Sequence, residues 1–125
     1  MKWLNQTIEF PSLTEANHEG LLAIGGDLSP ERVLYAYQNG IFPWYESNQP
    51  ILWWAPDPRF VLYPKKLKVS KSTKQILRNQ PFEITVNRNF KEVIKACANV
   101  KREAQSGTWI TNEMIQTYCD LHQRG

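Results

Sequence analysis

The chain has 125 residues, 42% of them apolar and 22% charged, with a formal net charge of +3. These values are typical of one globular domain, or of a small domain plus part of another. No run of about 18 apolar residues occurs, which excludes a predicted membrane-spanning helix. The first residues also lack the apolar stretch that a secretory signal requires, so no signal is predicted.

The charge is distributed unevenly along the chain. Residues 1–62 carry three basic and seven acidic side chains, a net charge of −4, whereas residues 63–125 carry twelve basic and five acidic side chains, a net charge of +7. A polyanion is attracted to a surface of positive potential, so the second half is predicted to face one.

The two cysteines, Cys97 and Cys119, lie in helix-like segments and lack CxxC spacing. We expect them to be reduced, buried thiols, and a disulfide is the lesser alternative. Together with the absence of a predicted signal, this favours a cytoplasmic protein.

The first half begins with a predicted strand and a predicted helix. Residues 21–24 form an apolar run that ends at a Gly-Gly pair, which indicates a buried strand or a turn. Ser29 is a good N-cap, Pro30 suits the first helical position, and Gly40 is a natural stop. The predicted apolar face of this helix consists of Val33, Leu34 and Tyr37.

Residues 40–59, GIFPWYESNQPILWWAPDPR, hold three of the five tryptophans and four of the eight prolines. A rigid backbone that carries flat rings is suited to form a wall for a planar or apolar ligand. Trp53 and Trp54 point to opposite faces if they lie in a strand, so at most one faces a ligand. Trp44, which follows a proline in a loop, is the better stacking candidate, and core packing is the alternative for each ring.

Three short segments are predicted to be strands. Residues 51–54 and 60–63 read as a hairpin around the turn Pro-Asp-Pro, and residues 82–86 alternate apolar and polar side chains as a half-buried strand does.

Residues 65–78 contain six basic side chains and no acidic one. In a helix, Lys71, Lys74 and Arg78 would lie on one side. Several cations on one face could follow a phosphate backbone, and a solvated helix face is the alternative.

Two further helices are predicted near the end of the chain. Asn89 can cap the first, which has an apolar stripe, and Thr111 can cap the second, with four side chains directed inward. Trp109 lies between a glycine and this second cap, so it is a further candidate for ligand binding. The stripe is Phe90, Val93, Ile94 and Cys97, and the inward set is Met114, Ile115, Tyr118 and Leu121. Strands mixed with helices predict an α+β or mixed α/β class.

No catalytic or metal motif is evident in the pattern of residues. The Gly-Gly-Asp segment that ends at Asp27 lacks the residues of a phosphate loop, and Asp27 and Asp57 are expected to be capping or turn carboxylates. His18 and His122 lack metal-ligand spacing. The residues alone therefore predict a platform that binds RNA or a nucleotide.

Three strings, GLLAIGGDLSPERVLYAYQNGIFPWY, PILWWAPDPR and GTWIT, resemble the leucyl/phenylalanyl-tRNA–protein transferases. The resemblance runs from about residue 10 to residue 122. It implies an enzyme that moves Leu or Phe from an aminoacyl-tRNA to the N-terminal Arg or Lys of a protein, which marks that protein for degradation. It also implies no metal or organic cofactor, a small N-terminal α/β domain at residues 1–62, and the opening part of an acetyltransferase-like (GNAT-like) domain at residues 63–125.

The resemblance assigns roles to six residues. Trp44 and Trp109 match the tryptophans at the 3′-terminal adenosine of the tRNA, and Tyr37 lies beside them. The patch that faces the tRNA body is Lys71, Lys74 and Arg78. No catalytic residue is assigned, because the family's chemical-step residues are expected beyond Gly125, and the 125-residue chain alone is expected to have little or no transferase activity.

Two other functions stay open on sequence grounds. One is a non-catalytic RNA-binding module that uses the same aromatic and basic features. The other is a related aminoacyl-tRNA-dependent transferase with a different acceptor.

Overall fold

The computed structural model describes residues 2–101 and 107–125, and its architecture is mixed α/β. Within these residues there are four α-helices and one four-stranded sheet. The chain divides into two compact units. The main unit comprises Met1–Asp57 and Asn89–Gly125, and the basic unit comprises Pro58–Arg88.

The sheet belongs to the main unit, and its central strands carry the aromatic segment. The strands are β1 (Lys2–Leu4), β2 (Leu21–Gly25), β3 (Phe42–Pro43) and β4 (Leu52–Trp54). Their spatial order is β1-β2-β4-β3; β1 is parallel to β2, and β4 is antiparallel to both β2 and β3. The strands predicted around residues 21–24 and 51–54 are therefore confirmed.

The predicted hairpin between residues 51–54 and 60–63 is wrong. Both edges of β4 are already paired, one with β2 and the other with β3, so no edge is left for a further strand. Residues 60–63 have no strand conformation and are exposed.

The strand predicted at residues 82–86 is also absent from the basic unit. Alternating side chains form a strand only where a neighbouring strand accepts the backbone hydrogen bonds. Residues 58–88 contain no strand, and the side chains of residues 82–86 are exposed.

Helix α1 (Pro30–Gln38) begins and ends as its sequence predicts. The Ser29 Oγ accepts a hydrogen bond from the backbone N–H of Arg32 at 3.4 Å, and Pro30 occupies the first turn. Gly40 follows the helix with a φ of 73°, a left-handed conformation that glycine adopts without strain. The cap and the stop are both confirmed.

The buried face of α1 differs from the predicted one. Val33 is buried as predicted, whereas Leu34 and Tyr37 are about half exposed. The helix instead buries Arg32 and Ala36 beside Val33, because residues three and four apart share one face. Apolar periodicity predicts that Leu34 lies on the buried face of α1, but the charged residue Arg32 is buried there instead.

Two further helices of the main unit pack on each other: α3 (Phe90–Asn99) and α4 (Asn112–Arg124). The Thr111 Oγ1 accepts the Met114 N–H at 3.2 Å, so the predicted cap is confirmed. Met114 is fully buried in the core, and Tyr118 and Leu121 pack against it. The buried apolar core of the main unit is Leu22, Ala23, Leu28, Val33, Ala36, Ile41, Tyr45, Trp53, Ala55 and Met114.

The cysteines are free thiols, as predicted, but the prediction that both are buried is wrong. Cys97 is exposed and Cys119 is partly buried. Cys97 lies on the apolar stripe of α3, and this stripe borders an open hollow instead of the closed core.

In the basic unit, α2 (Lys71–Asn79) forms over the predicted basic segment. The Ser70 Oγ accepts the Thr73 N–H at 3.1 Å, which caps the first turn. Gln80 follows the last helical residue, and its φ of 43° is left-handed. A short 3₁₀ turn, Pro64–Lys66, precedes it.

Arg32 is a buried cation at the start of α1, and its guanidinium forms hydrogen bonds or an ion pair with three separate groups. Its guanidinium donates to the carbonyls of Thr7 at 3.0 Å and Asn5 at 2.8 Å, and it pairs with the Asp27 carboxylate at 3.1 Å. Asp27 also accepts the backbone N–H of Ser29 at 2.8 Å, so the predicted turn role of Asp27 is confirmed. The N-terminal segment is thus tied to α1 through one side chain.

This ion pair predicts an acid-dependent loss of stability. The hydrogen bond from Arg32 lowers the pKa of Asp27 from 3.8 to about 2. A lowered folded-state pKa stabilises the native state above pH ~4, and this contribution is lost as the pH falls toward 2. Because the carboxylate is half exposed, we expect the contribution to be only about 1 kcal/mol.

Urea unfolding of the chain and of Asp27→Asn between pH 5 and pH 2 measures this contribution. The difference in unfolding free energy between the two proteins should shrink by that amount across the interval. A difference that stays constant with pH would contradict the role of the pair.

Candidate functional site

Two adjacent tryptophans of β4 occupy opposite faces of the sheet. Trp53 is fully buried, its indole N–H donates to the carbonyl of Gly25 at 2.9 Å, and its ring meets Phe10 edge-on at 4.9 Å. Trp54 is partly buried on the other face and lies against Trp44, with ring centroids 6.1 Å apart. The predicted alternation is confirmed, and Trp53 is a core residue.

Trp44 combines an exposed ring with a fixed backbone. Its side chain is 51% exposed, although it directly follows the buried Pro43 of β3. Its backbone N–H donates to the carbonyl of Leu52 at 3.0 Å, and its own carbonyl accepts the Trp54 indole N–H at 2.7 Å. A flat ring presented on a constrained backbone is suited to stack against a planar ligand.

Tyr37 is joined to a residue from the other end of the chain. Its hydroxyl lies 2.6 Å from the hydroxyl of Tyr118, and the two rings meet edge-on. Burial raises the pKa of Tyr118 far above its usual range, and the neighbouring Tyr37 hydroxyl raises it further. Tyr118 is therefore neutral near pH 7 and can donate or accept a hydrogen bond.

Trp109 borders an apolar hollow between α3 and α4. The cavity measures about 230 Å³. Trp109 is 36% exposed, so its ring is partly available to a ligand. The lining residues are Phe90, Val93, Ile94, Cys97, Trp109, Ile110, Met114 and Tyr118.

A second, more polar cavity of about 750 Å³ is lined by residues that adjoin the two candidate tryptophans in sequence. It is bordered by Tyr45, directly after Trp44, and by Thr108, directly before Trp109. The structure thus places the two segments at one groove. Among the described residues, however, no ring contact joins Trp44 to Trp109, since the ring partner of Trp44 is Trp54.

Lys71, Lys74 and Arg78 lie on α2 of the basic unit. All three side chains are exposed. Within the part of the chain that the structure describes, none of them forms an ion pair. They are exposed cations at helical spacing on one element.

The histidines do not form a metal site among residues 2–101 and 107–125, where no cluster of three or more His, Cys, Asp or Glu side chains could hold an ion. His122 stacks on the ring of Phe90 at 4.7 Å. Among the helices of these ranges, none combines the length and the hydropathy that a membrane span requires.

Sequence reasoning missed the parts that Tyr118 and Trp54 play in this region. Periodicity predicts Tyr118 only as an inward residue of α4, and it cannot reveal a partner 81 positions away. The sequence favours Trp44 over Trp54 as the stacking ring, although strand alternation separates Trp54 from Trp53 on the opposite face. Its indole N–H was the available signal, since a tryptophan N–H usually finds an acceptor.

Comparison with known proteins identifies the chain's relatives. A model described as "Leucyl/phenylalanyl-tRNA protein transferase N-terminal domain" matches residues 26–57, and one described as "Leucyl/phenylalanyl-tRNA protein transferase" matches residues 61–125, just over half of the chain. Both describe a tRNA-dependent protein transferase, a class consistent with a mixed α/β chain that exposes aromatic rings and a basic helix. The chain belongs to the leucyl/phenylalanyl-tRNA protein transferase family.

Individual relatives agree with the family assignment. The chain is 56% identical over 125 residues to the leucyl/phenylalanyl-tRNA–protein transferase of Flavobacterium johnsoniae, and 53% identical over the same length to that of Flavobacterium psychrophilum. These alignments cover all of this chain and 59% of each relative. The enzyme of Syntrophus aciditrophicus is 56% identical over 122 residues, or 98% of this chain and 51% of the relative. The chain thus spans between half and three fifths of these relatives' length.

Proposed function

We propose that this chain carries the part of a leucyl/phenylalanyl-tRNA–protein transferase that grips the 3′ end of the aminoacyl-tRNA. The observation that supports this most is the exposed ring of Trp44, whose backbone is fixed at both its N–H and its carbonyl. In this proposal Trp44 and Trp109 stack on the terminal adenosine, beside the groove that their neighbours share.

The reaction requires positioning more than a covalent catalyst. The α-amine of the acceptor attacks the carbonyl carbon of the aminoacyl ester, a peptide bond forms, and the ester C–O bond breaks to release the tRNA 3′ oxygen. The amine loses a proton and the departing oxygen gains one, so the protein must orient two substrates and assist proton movement.

Tyr37 and Tyr118 are suited to the orienting part of this task. Because the pKa of Tyr118 is raised, neither a phenolate base nor a nucleophile is expected from it near neutral pH. The coupled hydroxyls, 2.6 Å apart, offer a neutral hydrogen-bonding group to the ribose or to the ester.

Lys71, Lys74 and Arg78 are proposed to contact phosphates of the tRNA body. Their exposure and the absence of ion pairs among the described residues leave their charges available for this. Each phosphate contact would release counterions, so binding should weaken with salt.

The family resemblance supports an acceptor, a fate for the modified protein and a domain division. The acceptor is a protein with an N-terminal Arg or Lys, the modification marks that protein for degradation in the cytoplasm, and no cofactor takes part. Residues 1–62 are proposed to form the N-terminal domain, and residues 63–125 to open a GNAT-like domain.

The stacking role predicts that Trp44→Ala weakens the binding of a 3′-aminoacyl-adenosine analogue. We expect the dissociation constant to rise about tenfold to a hundredfold, since one stack of a base on an aromatic ring is worth ~1–3 kcal/mol. Isothermal titration calorimetry with a non-hydrolysable leucyl-adenosine amide measures this change.

Trp3→Ala is the matched control, because Trp3 is an exposed tryptophan of β1, the edge strand farthest from β3 in the sheet order. It should leave the affinity unchanged. Equal affinities for the unsubstituted chain and Trp44→Ala would refute the stacking role.

A further inference from the structure

Trp54 makes both a ring contact and a hydrogen bond with Trp44. Trp44 itself is half exposed, so the core does not enclose its ring. The ring contact described for it is with Trp54, at a centroid distance of 6.1 Å and an interplanar angle of 56°. The same Trp54 side chain donates its indole N–H to the carbonyl of Trp44 at 2.7 Å.

Trp54 is in turn held by a strand that is paired on both sides. Its backbone lies in β4, opposite Leu21 of β2 on one side and Phe42 of β3 on the other. The preceding residue, Trp53, is locked into the core on the opposite face. The Trp54 side chain therefore projects from a fixed point toward Trp44.

We propose that Trp54 is the positioning residue for Trp44 and that it sets the angle at which the Trp44 ring meets the tRNA's terminal base. This inference rests on the proposed function. Trp54 acts through two contacts, a hydrogen bond that fixes the Trp44 backbone and a tilted ring contact that limits the Trp44 side-chain rotamer.

We expect this hydrogen bond to contribute little to the free energy of folding. It lies in an exposed environment, so water can replace the indole N–H at the Trp44 carbonyl when the donor is removed. The consequence of losing it should therefore appear in the orientation of Trp44 and hardly at all in unfolding.

Trp54→Phe removes the N–H donor and keeps an aromatic ring, although a smaller one, at the same position. We expect the affinity for the leucyl-adenosine amide to fall about threefold to tenfold, with the urea midpoint almost unchanged. Trp54→Ala, which also removes the ring contact, should weaken binding by more than about tenfold. Trp3→Phe is the control and should change neither quantity.

A double-mutant cycle tests whether Trp54 acts through Trp44. In the Trp44→Ala background, Trp54→Phe should have no further effect on affinity, since the residue that it positions is gone. An undiminished effect in that background would overturn the proposal, because it would mean that Trp54 touches the ligand itself or acts elsewhere.

A readout without ligand separates this inference from the proposed function. The five tryptophans can be labelled as 5-fluorotryptophan and their ¹⁹F signals assigned by single substitutions. In the free chain, Trp54→Phe should shift and sharpen the Trp44 signal and leave those of Trp53 and Trp109 in place. A Trp44 signal that does not change would overturn the inference, whereas a changed signal in a chain that binds no analogue would overturn only the proposed function.

Discussion

Replacing Trp53 by alanine is expected to lower the free energy of unfolding by about 3–5 kcal/mol, the range for truncating a buried aromatic side chain. The indole is fully buried, its ring contacts Phe10, and its N–H donates a hydrogen bond to the carbonyl of Gly25. The variant loses all of these contacts and leaves a cavity beneath the sheet. Such a loss is a large fraction of the total stability of a domain, about 5–15 kcal/mol, and it would partly unfold a domain only at the low end of that range. Urea unfolding followed by far-UV circular dichroism measures it.

Trp54→Ala is the matched control, because it removes the same side chain from the next residue on the opposite face. Trp54 is only partly buried and its indole bond lies in an exposed environment, so we expect a loss of about 1 kcal/mol. Comparable losses in the two variants would contradict the assignment of Trp53 to the core and Trp54 to the site.

Replacing the three cations of α2 by neutral residues is expected to reduce both the affinity for aminoacyl-tRNA and its dependence on salt. In the triple variant Lys71→Gln, Lys74→Gln, Arg78→Gln, the slope of log affinity for aminoacyl-tRNA against log salt should become shallower by about 3, one for each lost phosphate contact. The affinity at about 0.1 M salt should fall at least tenfold. Filter binding or fluorescence anisotropy over a salt series measures both values.

A second triple variant controls for the change in net charge. Lys2, Lys91 and Lys101 are exposed lysines outside α2, and their replacement by glutamine removes the same number of charges. This variant should retain most of the salt slope. If both triple variants flatten the slope equally, attraction is set by overall charge and the specific role of α2 is wrong.

Local signals in the sequence were reliable where the structure depends on neighbouring residues. Ser29 and Thr111 cap helices because each hydroxyl bonds to an N–H three residues later, a relation contained within one turn. Gly40 ends α1 for an equally local reason, its left-handed φ. The basic helix α2 and the alternation of Trp53 and Trp54 are of the same kind.

The errors arose where the structure depends on distant partners. Residues 60–63 and 82–86 have strand-like patterns, but a strand exists only beside another strand, and neither segment has one. Arg32 is buried because carbonyls of the N-terminal segment and the Asp27 carboxylate reach it, which periodicity along α1 cannot indicate.

The candidate site was predictable to the same extent. The tryptophans were conspicuous in composition, and family resemblance assigned roles to Trp44 and Trp109, which stay predictions. Residue spacing cannot predict the hydrogen bond between Tyr37 and Tyr118 or the one from Trp54 to Trp44. Each depends on how separate elements pack together.

The discontinuous main unit has a consequence for synthesis on the ribosome. Residues 1–57 emerge first, but the core that they begin is completed by Met114 of α4, and the Thr117 hydroxyl of the same helix donates to the carbonyl of Leu28 at 2.7 Å. The apolar surface that Met114 covers must therefore stay exposed while the basic unit and α3 are being translated. Burial of that surface, and with it the Tyr37 contact, can follow only after α4 has left the exit tunnel.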